Sequence, residues 1–332
     1  MFIHMKKETM KPKNLTWKQA FDASPGPSTP KEAFFLAFKG LCMGSADIIP
    51  GVSGGTIALI TGIYADLLKA IQSIGLSMVN KLMKMDIKGA LSEVHIRFLL
   101  SLLTGIGIAI ISLARLMNYL LNHHPVPTWS MFFGLIAASI FVVGKKVRVW
   151  NAVSAICFGS GTVAAYFIVS MIPVSTPEEF WFIFLSGMIA ICAMILPGIS
   201  GAFILLILGK YEFVTGALKN PFLQSNILII LVFCAGCAIG ILGFSRVLSY
   251  LLEKHYNMTL AFLTGLMAGS MQKIWPWKET VQSIIIRGKE HVLVSRNILP
   301  SELSGEVYLA IILTVIGFFI VMGLERLSEK DR

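Results

Sequence analysis

Charge is scarce in this sequence. Of its 332 residues only 14% are Asp, Glu, Lys or Arg, while 55% are hydrophobic; a soluble domain carries about 25% charged residues. That balance excludes a water-soluble doubly wound or barrel enzyme. Histidine is scarce too: His4, His95, His123, His124, His255 and His291 all fall outside the centres of the apolar stretches. A buried serine nucleophile would therefore lack its base. The five cysteines, Cys42, Cys157, Cys192, Cys234 and Cys237, lie inside apolar stretches and outline no disulfide framework. The C-x-x-C formed by Cys234 and Cys237 reads as helix packing rather than redox or metal chemistry. No G-x-x-x-x-G-K-S/T segment occurs, which argues against direct use of ATP.

What the chain has instead is long uncharged runs. Phe180 to Gly209, Asn220 to Ser245 and Val149 to Ile172 contain no charged side chain, and a bilayer span needs roughly 20 apolar residues. The expected class is an all-α polytopic membrane protein. The 28 Lys and Arg exceed the 18 Asp and Glu by ten. They fall between the apolar blocks, where they set topology and touch anionic lipid rather than nucleic acid. Residues 1–32, rich in lysine, read as a disordered cytoplasmic tail without a cleavable signal.

The chain also matches itself. At an offset of 147, Pro50-Gly51 falls on Pro197-Gly198, Ser53-Gly54 on Ser200-Gly201, and Tyr64 on Tyr211. At 131, Arg115 falls on Arg246, Tyr119-Leu120-Leu121 on Tyr250-Leu251-Leu252, and His124 on His255. Two repeat units follow, 33–172 and 173–325. Each opens with an apolar stretch broken by Pro-Gly, 34–65 and 180–215, which reads as a re-entrant hairpin of two short helices; the alternatives are one kinked helix or a tight pair of spans. Three spans follow in each unit, near 98–121, 129–144 and 149–172, then 224–251, 257–272 and 307–324. An odd number of crossings makes the second unit inverted relative to the first, the plan of many secondary transporters. With both termini cytoplasmic, Lys69, Lys81, Lys84, Lys88, Lys145, Lys146 and Arg148 lie inside, as the positive-inside rule requires. One loop disagrees: 273–305 would be external although it carries Lys273, Lys278, Arg287, Lys289 and Arg296.

The turns supply the candidate chemistry. Both read G-x-S-G, and two symmetric serines without a buried base make a poor protease. Each Pro-Gly break, at Pro50 and Gly51 and again at Pro197 and Gly198, exposes the N-terminus of a second helix. Backbone N–H groups near Ser53, Gly54, Gly55 and Thr56, and near Ser200 and Gly201, would then suit phosphate or carboxylate. Alternatively, these small residues only allow close helix crossing. Arg115 and Arg246 sit at matched positions inside apolar helices, where a guanidinium either reaches a phosphate or snorkels to the interface. Asp47 precedes the first turn, and Met194 takes its place in the second. Its carboxylate could load a coupling proton or sodium ion, or partner the turn's backbone. Tyr64 and Tyr211 read as interface anchors, and Lys39, Lys210 and Glu212 as interfacial. No metal site and no cofactor are expected.

The run from Gly44 to Thr56, GSADIIPGVSGGT, with ILPGISG at 195–201, resembles the bacterial domain-of-unknown-function family number 368, whose members are described as polyprenyl-phosphate transporters of the PopT type. The resemblance covers residues 30 to 325. It implies a carrier, not an enzyme, in the bacterial inner membrane, returning undecaprenyl phosphate from the periplasmic to the cytoplasmic leaflet for cell-envelope synthesis. The second turn departs from the first at Met194 and Ala202, so the two turns should not share the work equally. A secondary transporter of a small soluble anion would use the same donors, and an assembly protein would use its buried polar groups for packing alone. Protein partners and self-association stay open.

Overall fold

The computed structural model describes residues 16–48, 53–174, 176–286, 289–300, 302 and 304–330. The chain opens with α1 (Trp17–Ala23), then two limbs, α2 (Pro30–Asp47) and α3 (Gly54–Ile60). Short helices α4 (Tyr64–Ser73), α5 (Leu76–Met83) and α6 (Ile87–Glu93) lead to the longer α7 (Ile96–His123), α8 (Pro125–Lys145) and α9 (Ala152–Ser170). The second half runs through limbs α10 (Phe180–Ile195) and α11 (Gly201–Ile207), then α12 (Tyr211–Lys219), α13 (Gln224–Lys254) and α14 (Tyr256–Ile274). An antiparallel hairpin, β1 (Lys278–Ile286) with β2 (Lys289–Asn297), precedes α15 (Gly305–Lys330). Five helices (α7, α8, α9, α13 and α15) are long and apolar enough to cross a bilayer. Two pairs, bent by 117° and 111° where α3 and α11 end, bring that number to seven if each counts as one span.

Both hairpins are lopsided, unlike the expected pair of short helices. The first limbs have 18 and 16 residues, the second limbs only 7 each; at 1.5 Å per residue α2 is about 27 Å long. Thr29 accepts from Glu32 N to start α2, with Pro30 at the first helical position, where its missing N–H loses nothing.

Glycine sets how the helices pair. Gly40 and Gly105 let α2 and α7 approach at the carbonyls of Leu102 and Ala37, and Gly187 and Gly236 do the same for α10 and α13 at Phe233 and Phe184. These positions correspond at the offsets of 147 and 131. The remaining long helices pair across the halves. Gly134 of α8 meets Thr314 of α15 and Gly317 meets Met131; Gly265 of α14 meets Phe158 of α9 and Gly161 meets Phe262. One turn further on, Gly44 meets Ile106, Gly240 meets Met188 and Gly269 meets Thr162, and from Ser130–Thr314 to Phe141–Phe318 the α8–α15 contacts also advance together, so all four pairs run parallel. The α7–α8 and α13–α14 junctions each consist of one residue, His124 and His255.

Two regions differ from expectation. Thr16 to Ser24, placed in a disordered tail, contains a helix closed by a capping box between Thr16 and Gln19. Ser24 Oγ then donates to Val94 O at 2.7 Å and ties this segment to the start of α7. The loop at 273–305 contains the β-hairpin, a departure from an all-helical chain. Residues 1–15 and the Pro50-Gly51 turn lie outside the described residues.

Candidate functional site

The two hairpins meet at their tips. Ser53 starts α3: its Oγ accepts from Gly55 N at 3.1 Å and donates towards Leu196 O at 3.1 Å and Met194 O at 3.3 Å on the other hairpin. Thr56 Oγ1 accepts from Gly198 N at 3.1 Å, and the Tyr64 hydroxyl donates to Ile195 O at 3.0 Å. A Cβ on Gly55 would overlap the Ile195 carbonyl oxygen. At Gly198 φ is +86°, which lets the second tip reverse against Met267 without the Cβ penalty of another residue. Ser53 and Thr56 are each 1% exposed and Tyr64 3%. Tyr64 is therefore a buried brace rather than an interface anchor; Tyr211, which falls on it at the offset of 147, is exposed.

The first tip supplies its own anion. Asp47 Oδ1 accepts from Gly54 N at 2.7 Å, and Thr56 N donates to Ser53 O at 3.0 Å. The N–H groups of Gly54, Gly55 and Thr56 are thus all engaged, and the Ser53 and Thr56 hydroxyls hold the other hairpin. These groups, expected as donors to an external anion, are thus paired inside the protein. The second tip has Met194 where the first has Asp47, and Ser200 starts α11 without a side-chain capping hydrogen bond. Ala202, which takes the place of Gly55, is exposed.

Arg115 and Arg246 are not gathered at the tips. Both are exposed, and neither hydrogen-bonds to a tip residue among the described residues. Arg246 borders Gly75 in the α4–α5 turn, where a Cβ would lie 3.4 Å from Nη2. Arg115 is exposed, whereas Met117, two residues on, is buried in a cluster with Ala46 of the first hairpin.

Lysines take places that sequence reasoning left at the interface. Lys146 Nζ donates to Leu59 O and Ile60 O at 3.2 and 3.3 Å, and Lys39 Nζ to Thr61 O at 3.2 Å. Both therefore sit on the carbonyl end of α3, the negative end of its dipole. Lys210 is 2% exposed; it donates to Thr176 O at 2.8 Å and lies 5.7 and 5.6 Å from the ring centres of Phe182 and Phe213.

Beside the first tip lies a half-open apolar cleft of about 570 Å³ between α2, α3, α7, α8 and α15. Ala46, Thr56 and Ile57 form its hairpin wall, Met117 and Phe132 its floor, and Leu309 and Ile320 of α15 an exposed rim. A smaller cavity of about 240 Å³, lined by Tyr64, Lys69, Lys146, Ser249 and Glu253 among others, lies at the far end of α3. The larger cavity is almost wholly apolar, and the smaller one carries the charged side chains of Lys69, Lys146 and Glu253 on its lining.

Comparison with known proteins now bears on this geometry. A family profile described as undecaprenyl phosphate translocase-like matches residues 43–292. A protein of Vibrio cholerae named polyprenyl-phosphate transporter is 42% identical over 299 residues, covering 88% of this chain and 96% of that protein. A protein of the same name from Staphylococcus aureus is 28% identical over 313 residues, with the same coverage of both chains. No solved structure matches.

Proposed function

Because the chain belongs to the undecaprenyl phosphate translocase-like family, we propose that this multi-pass membrane protein carries undecaprenyl phosphate from the outer to the inner leaflet of the bacterial cytoplasmic membrane for reuse in envelope synthesis. It is a carrier and not an enzyme. The observation that bears most on this reading is the half-open apolar cleft that ends at the braced hairpin tips. A polyprenyl tail loses nothing by leaving lipid for such a cleft, whereas its phosphate cannot cross hydrocarbon unaided. A transporter for a soluble anion has no use for an oily side opening of this size.

The helix pairing supports an inverted repeat. If each one-residue junction reverses the chain, α8 runs against α7, and α9 against α8. Since α14 runs parallel to α9, α13 runs against α7. Each hairpin follows its own long helix, so the hairpins enter from opposite faces, the first from the cytoplasm together with both termini. Arg115 and Arg246 then lie near opposite faces and would each meet the headgroup at one of them. Asp47 is the coupling group: it takes up a proton or sodium ion while keeping its hold on Gly54 N. The test is ligand-induced stabilisation of the purified protein by undecaprenyl phosphate, farnesyl phosphate and inorganic phosphate. Stabilisation rising with tail length supports the reading; equal stabilisation by inorganic phosphate refutes it.

A further inference from the structure

The segment leaving α14 carries two lysines for which the proposed pathway has no role. Lys273, in the last turn of α14, places Nζ 4.7 Å from the centre of the Phe203 ring on α11. Lys278, the first residue of β1, places Nζ 4.6 Å from the Trp129 ring of α8 and donates to the carbonyl of Lys273. Both are half-buried, and neither ammonium has a carboxylate partner among the described residues. Burial first, and then the charge of Lys273, hold the Lys278 amine down at about 8. Two half-buried cations beside ring faces, with no acid partner among the described residues, form a site that an anion stabilises.

Their surroundings say which anion. Ile274, next to Lys273, is fully buried in one cluster with Phe132 and Ile136, which line the apolar cleft, and Trp129 packs on that cluster. A ligand held by the lysines therefore has an oily groove beside it. The same lysines break the positive-inside pattern, which a topological role for them would not explain.

We infer that Lys273 and Lys278 hold a phosphate monoester between their ammonium groups, the headgroup of a polyprenyl phosphate whose first isoprenoid units lie in the adjacent cleft. The inference rests on the transport reading and names the receiving site at the face that bears the β-hairpin, the outer face in the proposed orientation. The positive charge of this loop then serves the substrate.

The full chain in lipid nanodiscs is labelled with a membrane-impermeant amine reagent and read by mass spectrometry. It is labelled alone, with undecaprenyl phosphate, and with inorganic phosphate at the same concentration. Undecaprenyl phosphate is expected to protect Lys273 and Lys278, inorganic phosphate is not, and Lys219, exposed at the end of α12, should label equally in all three. Lys273→Gln or Lys278→Gln should weaken lipid-phosphate binding by about tenfold or more, and Lys→Arg should restore most of it. Unprotected lysines in a protein that still binds the lipid overturn the site and leave the transport reading standing. Loss of all lipid binding by the parent protein overturns both. Equal protection by inorganic phosphate overturns the lipid assignment.

Discussion

Gly55→Ala strikes the contact on which the tip arrangement depends. The new Cβ would overlap the Ile195 carbonyl oxygen and lie 3.2 Å from its carbon, so the tips must part by about 1 Å to reach ordinary contact. That movement stretches three hydrogen bonds: Ser53 to Leu196 O at 3.1 Å, Gly198 N to Thr56 Oγ1 at 3.1 Å, and Tyr64 to Ile195 O at 3.0 Å. Each contributes about 0.5–1.5 kcal/mol, and the overpacking itself costs about 1–3 kcal/mol. A loss of about 2–5 kcal/mol is expected if most of this adds. Thermal unfolding of the detergent-purified protein measures it, with Gly216→Ala as the control, since that position in α12 has nothing within 4 Å. The control should be neutral or gain about 0.5–1 kcal/mol from helix propensity. If Gly55→Ala melts with the parent and transports at the same rate, the tips are not held in contact and the reasoning fails.

Tyr64→Phe removes the hydroxyl that Ile195 O accepts in a buried site, which should cost about 1–3 kcal/mol; an unchanged melting temperature would contradict the brace. Asp47→Asn keeps an oxygen for Gly54 N and should retain the fold and substrate binding, but transport in liposomes should no longer depend on an imposed proton or sodium gradient. Gradient dependence equal to the parent's would make Asp47 a structural partner only. Arg115→Ala or Arg246→Ala should weaken undecaprenyl phosphate binding by roughly 10- to 150-fold; unchanged affinity in both returns them to the interface. Lys278, held at about 8 against an ordinary value of about 10.4, loses its proton more readily folded than unfolded. Stability should therefore gain as pH rises from about 8 towards about 10.4. A bound phosphate raises that pKa, so binding should take up protons in the same window and weaken above it; calorimetry in two buffers of different ionisation heat measures the uptake.

Glycines recur in the sequence match because backbone contact fixes residue identity. Gly105 and Gly236 each face a carbonyl that leaves no room for a Cβ, so each position requires glycine. The roles of Ser53, Thr56 and Tyr64 were not legible, since their partners lie more than 130 residues away in the sequence. A G-x-S-G turn looks the same whether its hydroxyls face a ligand or another hairpin. Two other elements did leave signals. Thr16 and Gln19 have the spacing of a capping box, and the runs VQSIII and HVLV around Arg287-Gly288-Lys289 have the composition of a β-hairpin. The burial of Lys210 could not be read from a helix end that suits an interfacial lysine equally well.

In the proposed function a lipid phosphate moves between leaflets. The direct measurement places undecaprenyl phosphate in one leaflet of liposomes containing the purified protein and follows headgroup exposure with an impermeant phosphatase. Exchange well above protein-free liposomes, abolished or strongly slowed by Gly55→Ala, is the expected result. Exchange no faster than in protein-free liposomes, with folded protein and with proton and sodium gradients each imposed in turn, would contradict the account.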